Sequence, residues 1–303
     1  MRKFIIYQTL FLFSLFAEER SLYILHTNNT NGALENCYCP DHPFGAIEKR
    51  SIFFQKFIKD NPNTIIVDSG DLLPVTSRPF LEGLVLDAYA SLPYDAILVG
   101  DQELSRENKN DISEKTNHSI LCANLENYET YGFNDIVVLE RNGIKIGIIG
   151  TVHPSVFRFY PKEVKESIIL EDPEETIRDF VYDFSDSLDL LIALTHQGHD
   201  KDVQLAESVF GLDVIVGSHS QTKLEEGDLA NDCLIVQAGK EGYYVGVVEI
   251  TFDSDMEIVS HSSRIETMIL EMEDDPYIMK LIDSLEKETG HINRNKLKHQ
   301  GKE

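Results

Sequence analysis

Positive charge is scarce in this chain relative to negative. Lys and Arg number 27 against 52 Asp and Glu, a formal charge of −25 at pH 7. Such a surface repels nucleic acid and anionic membranes, so neither is expected as a partner. It repels phosphate esters as well, unless a bound cation reverses the sign locally. No stretch is rich in Pro, Gly or Ser, and no internal repeat is visible, which excludes an evident linker and a repeat array. Cysteine is sparse: Cys37, Cys39, Cys122 and Cys233. Four cysteines allow three pairings in an oxidising compartment. Cys122 lies in the apolar stretch Ser119-Ile120-Leu121-Cys122-Ala123 and reads as core, whereas Cys37-Tyr38-Cys39 reads as a loop. That C-x-C pair is open to a disulfide, a metal or a structural clamp, and the structural role is favoured. Long apolar runs are missing except at residues 4–16, which is too short to span a bilayer. Arg2 and Lys3 precede this run and Ala17 follows it, before Glu18-Glu19-Arg20. Residues 1–17 are therefore expected to be a secretory signal cut after about Ala17. No cysteine directly follows the run, so a lipoprotein anchor is not supported. The expectation is a periplasmic or secreted protein without a membrane span after cleavage.

What is present is a globular composition. The chain has 303 residues, 42% of them hydrophobic, enough for one large α/β domain or two small ones. Short apolar runs predict strands at residues 22–27, 64–67 and 96–99, and helical spacing marks residues 46–59 and 80–92. Runs at residues 135–139 and 144–149 flank Arg141-Asn142-Gly143, a hairpin signal. Residues 173–186 read as an amphipathic helix with Asp172 as N-cap, and residues 201–210 as another. Further strands are expected at residues 190–194, 212–216, 234–238, 243–252 and 257–264. A terminal helix at 274–289 and a frayed polar stretch at 293–303 complete the reading. An α/β portion followed by a mainly β portion fits two packed sheets with helices outside.

Five strand ends are rich in metal-type ligands. They are His26-Thr27-Asn28-Asn29-Thr30-Asn31-Gly32, Asp68-Ser69-Gly70-Asp71, Gly100-Asp101-Gln102-Glu103, Thr195-His196-Gln197-Gly198 and Gly217-Ser218-His219-Ser220-Gln221. Singly, each is weak: a lone His after a strand is more often a hydrogen-bonded surface group, and Asp68 to Asp71 alone suits a capped turn. Together, each after an apolar strand, they form a specific pattern, because loops at strand ends are where α/β proteins gather ligands.

In this order the segments resemble the motifs of the calcineurin-like metallophosphoesterases, within them the catalytic domain of the periplasmic 5′-nucleotidase and UDP-sugar hydrolase group. The first motif of that family, H-T-N-D-x-H-G, aligns with residues 26–32, its G-D with Gly70-Asp71, and its G-N-H-E-x-D with residues 100–105. Its T-H-x-G aligns with residues 195–198 and its G-H-S-[HQ] with residues 218–221. The resemblance covers residues 22–252. It implies a four-layer α-β-β-α sandwich, a single domain over residues 18–270, with residues 271–303 as terminal helix and polar tail. The C-terminal domain that stacks the nucleoside base in full-length relatives is expected to be missing, so a preference for nucleotides is not expected.

The family site holds two divalent metals bridged by one aspartate and carries out in-line attack on phosphate. Transferred residue by residue, Asp71 is the bridge. Asp71, Asp101, His196 and His219 would surround one metal; Asp71, Gln221, Asn29 and Asn31 would surround the other. Five family positions are changed, and all five are functional: Asn29 stands for Asp, Asn31 for His, Asp101 for Asn, Gln102 for His and Ser105 for the Asp that steers that His. An amide oxygen coordinates a hard cation without charge, and Gln102 cannot donate a proton as imidazolium does. The expectation is thus a reduced site with one divalent ion, zinc or manganese, at Asp71, Asp101, His196 and His219. Asn29, Asn31 and Gln221 would mark a degraded second position. A small phosphorylated molecule is the expected substrate; no protein partner is assigned. The competing expectation is a pseudoenzyme, a periplasmic binding or scaffold protein that kept the fold.

Overall fold

The computed structural model describes residues 19–40, 42–290, 294–299 and 301; the expected signal segment lies outside them. In chain order the elements are β1 (Arg20–Thr27), α1 (Ile47–Asp60), β2 (Thr64–Asp68), α2 (Pro79–Ala90), β3 (Ala96–Leu98), α3 (Asp101–Leu104), α4 (Asp111–Thr116) and β4 (Ile120–Leu121). Then follow β5 (Ile136–Arg141), β6 (Ile144–Val152), α5 (Lys162–Ser167), α6 (Pro173–Phe184), β7 (Leu190–His196), α7 (His199–Ser208) and β8 (Val214–Val216). The chain continues through β9 (Asp228–Ala230), β10 (Cys233–Val236), β11 (Tyr244–Phe252), β12 (Ile258–Thr267), α8 (Pro276–Thr289) and α9 (Arg294–His299).

Two six-stranded mixed sheets result, in the orders β12-β11-β1-β2-β3-β4 and β5-β6-β7-β8-β10-β9. Strands β1 to β4 run parallel, as do β6, β7, β8 and β10. The period of two explains how the sheets stack. Leu190, Ile192 and Leu194 of β7 enter the central core with Ile24, Ile66 and Leu98 of the first sheet. Leu191 and Ala193, pointing the other way, pack with Ile177, Phe180 and Leu205 of α6 and α7. Each such side chain contributes about 1.5–3 kcal/mol on full burial. The sheets approach closely at Gly150, where a Cβ would lie 2.7 Å from Leu121 Cβ.

Helix ends follow their caps. Asp172 Oδ1 accepts the Glu174 and Glu175 amides at 2.9 and 3.2 Å, with Pro173 at the first helical position. Asp275 does the same for Tyr277 and Ile278, and Ile278, Leu281 and Ile282 of α8 join the central core. The β5–β6 hairpin closes through Asn142 and Gly143 at φ 54° and 76°, the left-handed pair a two-residue turn demands. Part of the tail departs from the frayed expectation: Arg294–His299 is helical, and Lys296 Nζ pairs with Glu35 at 2.5 Å and Glu286 at 3.0 Å. Cys122 and Cys233 are buried core thiols. In the C-x-C loop, Cys37 Sγ donates to the His42 carbonyl.

Candidate metal centre

The loops leaving β1, β2, β3, β7 and β8 meet where the two sheets are stitched together. Ser69 Oγ donates to the Val216 carbonyl at 2.7 Å, and the Ser218 hydroxyl lies 2.6 Å from the Ser69 carbonyl. Close approach requires glycine here. A Cβ on Gly100 would sit 2.4 Å from Asp71 Oδ1 and 2.8 Å from His196 Cε1. Asp71 is itself left-handed at φ 59°, as is His219 at 71°. Strained backbone of this kind persists only where the surroundings over-determine it. At Asp71 part of that determination comes from Glu103, whose buried carboxylate accepts the amides of Gly100, Asp71 and Leu73 at 2.7, 2.9 and 2.8 Å. Burial and the nearby Asp71 push the Glu103 carboxyl up to about 7 against the three amides.

Asp71, Asp101, His196 and His219 each offer a ligand atom, and these atoms lie within 4.8 Å of one another. His196 Nε2 is 2.8 Å from Asp101 Oδ1 and 3.4 Å from Asp71 Oδ2, and His219 Nδ1 is 3.1 Å from Asp101 Oδ1. On its other side, His196 Nδ1 faces the Ser69 carbonyl at 3.1 Å and Ser218 Oγ at 2.6 Å. A carbonyl only accepts, so Nδ1 carries the proton and Nε2 is the nitrogen turned to the carboxylates. Burial alone would push the His196 imidazole down, but Asp71 and Asp101 outweigh it and hold it well above the usual range. Burial would likewise raise Asp101; His196 and His219 reverse this and hold it well below. The donor set of two carboxylates and two imidazoles, cradled where no Cβ fits, suits a divalent cation of zinc type.

The neighbouring amides are arranged differently. The Asn29 side-chain orientation follows from its partners: Oδ1 accepts the His219 backbone N–H at 3.1 Å and Asn28 Nδ2 at 2.9 Å. Because a backbone amide can only donate, Asn29 must turn Nδ2 toward Asp71, and it donates to Oδ2 at 2.9 Å. Gln102 Nε2 donates to Asn31 Oδ1 at 2.8 Å, while Gln102 Oε1 is buried without a partner. Ser105 Oγ donates to the Gln102 carbonyl at 2.8 Å and so does not steer the Gln102 side chain. Gln221 is exposed and forms no hydrogen bond to the four-residue group among the described residues. The segment's first residue, His26, faces Gly246 across β1–β11, and burial pushes its imidazole down to about 3, a neutral packing role.

Two residues join the site that sequence reasoning missed. Tyr160, just past a 3₁₀ turn over Pro154–Phe159, donates its hydroxyl to Asp101 Oδ2 at 2.6 Å. Burial and that carboxylate push its phenol up, so it stays a donor. Asp202, buried in α7, accepts from Thr195 Oγ1 at 2.6 Å and Gln197 Nε2 at 2.9 Å, the residues flanking His196. Nothing in the sequence signals Tyr160; Asp202 has only its place in the first turn after the His196 loop.

Two mixed sheets faced by helices, with ligand-type side chains gathered at joined strand ends, form the metallophosphoesterase architecture expected from the motif order. The comparisons with known proteins agree. No family model matches the chain. The uncharacterized metallophosphoesterase YunD of Bacillus subtilis is 28% identical over 262 residues, covering 82% of this chain and 54% of that protein. The structure of a 5′-nucleotidase precursor from Thermus thermophilus superposes with a TM-score of 0.77 at 23% identity, over 89% of this chain and 59% of the other. The calcineurin-like phosphoesterase YfkN from Bacillus subtilis gives 0.73 at 21%, over 90% and 98%. The chain is thus similar to calcineurin-like metallophosphoesterases and 5′-nucleotidases. It spans about half the length of the curated relatives it matches. No helix among the described residues is long and apolar enough to cross a membrane.

Proposed function

We propose that this protein is an exported metallophosphoesterase that hydrolyses small phosphate esters at a reduced site, with one divalent cation held by Asp71, Asp101, His196 and His219. The observation that carries the reading is the convergence of those four ligand atoms within 4.8 Å. When bound, the cation would supply Lewis acidity toward the phosphate and a lowered pKa for water. The protein's own groups do the rest. His196 Nδ1–H is anchored on the Ser69 carbonyl, which fixes the ring, and Tyr160 holds the outer oxygen of Asp101. Asn29 already occupies Asp71 Oδ2 with a hydrogen bond, which supports one cation rather than a bridged pair. Gln102 can hydrogen-bond to a phosphate oxygen but carries no transferable proton. Export rests on the basic and apolar start of the chain at residues 1–17, and residues 18–270 would form the catalytic domain. Metal analysis of purified protein tests the core of this reading: one zinc or manganese per chain is expected, and none or two would sink it.

A pseudoenzyme is the second reading, and one observation favours it: Gln102 and Asn31 are closed onto each other where the family places a proton donor and a metal ligand. A panel of mono- and diesters with zinc, manganese and cobalt separates the two. Activity only in the combined variant Asn29→Asp, Asn31→His, Asp101→Asn, Gln102→His and Ser105→Asp supports the pseudoenzyme. Wild-type turnover that disappears in His219→Ala rejects it.

A further inference from the structure

A polar cavity of about 540 Å³ opens beside the four-residue group and shares His219 with it. Its wall carries Arg158 and Lys201 against one carboxylate, Asp200. Among the described residues no carboxylate comes within ion-pair distance of either cation. Arg158 is instead braced by the Phe159 ring, 4.5 Å from guanidinium carbon to centroid. In a chain of charge −25, two cations held in no ion pair in one cavity stand out from the general field, although Asp200 shares their wall and Asp172 and Glu174 line the next cavity with Lys201. His199, also in the wall, spends Nε2 on Asp228 at 2.8 Å and leaves Nδ1 buried without a partner. The helix end contributes little, because the first amide of α7, at His199, is already given to Ser220 Oγ at 3.1 Å.

We infer that this cavity receives a second anionic group, so that the preferred substrates are phosphate esters whose leaving group itself bears a phosphate or carboxylate. The inference rests on the proposed reading that the phosphate to be cleaved sits at Asp71, Asp101, His196 and His219. Arg158 presents a planar fork to an oxyanion and Lys201 a point charge. Together they set substrate choice from the leaving-group side. They also offset the repulsion that an acidic surface imposes on a polyanion.

Two measurements keep the cavity and the metal centre apart. Isothermal titration of inorganic phosphate into chelator-treated protein reads the cavity alone. Wild type is expected to bind, the double variant Arg158→Gln/Lys201→Gln to bind at least about tenfold more weakly, and raised salt to erode the difference. In zinc-loaded protein, KM for an ester with a phosphorylated leaving group is expected about tenfold below that for an ester with a neutral one, and the double variant should bring the two values together. Phosphate binding that is absent, or equal in wild type and variant, overturns the inference even if zinc binds and esters turn over. Phosphate binding that needs both cations, in a protein without zinc uptake or turnover, upholds the cavity and defeats the metal reading instead.

Discussion

Around Asp71, Asp101, His196 and His219 the strand ends present charge, while the adjoining Asn29, Asn31 and Gln102 present amides. Two members of each set stand on the same kind of backbone. Asn29 and Asn31 are left-handed at φ 47° and 53°, just as Asp71 and His219 are at 59° and 71°. Left-handed positions cost roughly 1–2 kcal/mol outside glycine, with Asn and Asp the most tolerant. The left-handed backbone is thus shared by members of both sides, while the donors differ. Where charges meet, four ligand-type atoms lie within 4.8 Å; where amides meet, hydrogen bonds join them. Asn29 donates to Asp71 and Gln102 donates to Asn31, whereas two carboxylates and two imidazoles crowd one point, where Asp71 and Asp101 favour the cationic form of His196.

The sharpest way to break the comparison is to remove a donor from the charged side. His196 is fully buried against both carboxylates. His196→Ala should lower zinc affinity by more than about 100-fold, beyond what supporting residues around metals are worth. It should also destabilise the metal-free protein by about 3–5 kcal/mol, since Asp71 and Asp101 lose their compensating charge. Equilibrium dialysis and urea unfolding check the two effects. Affinity within tenfold of wild type would remove His196 from the ligand set.

Converting the amide side is the next largest test. Asn29→Asp exchanges the 2.9 Å hydrogen bond to Asp71 for two facing carboxylates and leaves Asn28 and the His219 amide to hold the new charge. Without metal the loss should be about 2–3 kcal/mol, read by urea unfolding. Added zinc should restore it, and with Asn31→His present the stoichiometry should rise from one to two per chain. A double variant that still takes one ion would show that the second position is lost for reasons beyond its donors.

The contrast also marks what the sequence makes legible. The candidate ligand positions are readable because long buried runs such as β1 and β7 end abruptly in Gly-, His- and Asp-rich segments, and strand ends converge by topology. The substituted positions are readable because each occupies a fixed place in a motif. Short apolar runs still register, as β3 does within residues 96–99, but the four-residue α3 is too short for any period to show. Gln221, assigned to the degraded second position, has an exposed side chain. Tyr160 escapes altogether, being 59 residues from Asp101 in an irregular segment. Its effect is correspondingly testable: Tyr160→Phe frees Asp101 Oδ2 and should weaken zinc binding about tenfold while leaving the stoichiometry at one. No change in affinity would confine Tyr160 to packing.

The smallest effect lies one layer behind the charged side. Asp202 Oδ1 takes both hydrogen bonds from Thr195 and Gln197, and Oδ2 is buried with none. Burial pushes its carboxyl up to about 7 from 3.8, so the folded protein holds a proton there that the unfolded chain releases. The sign follows: this group favours folding fully below the unfolded value, and its contribution is lost as pH rises from 3.8 through about 7. Asp202→Asn keeps the accepting oxygen and removes the titration. Relative to wild type it should be neutral near pH 4 and more stable near pH 8 by on the order of 1 kcal/mol, in chelator-treated protein followed by urea unfolding. A pH-independent difference would mean that Asp202 stays charged. The charged side would then extend a layer deeper than the four ligands, and its contrast with the amide side would be one of whole layers rather than of front-line donors.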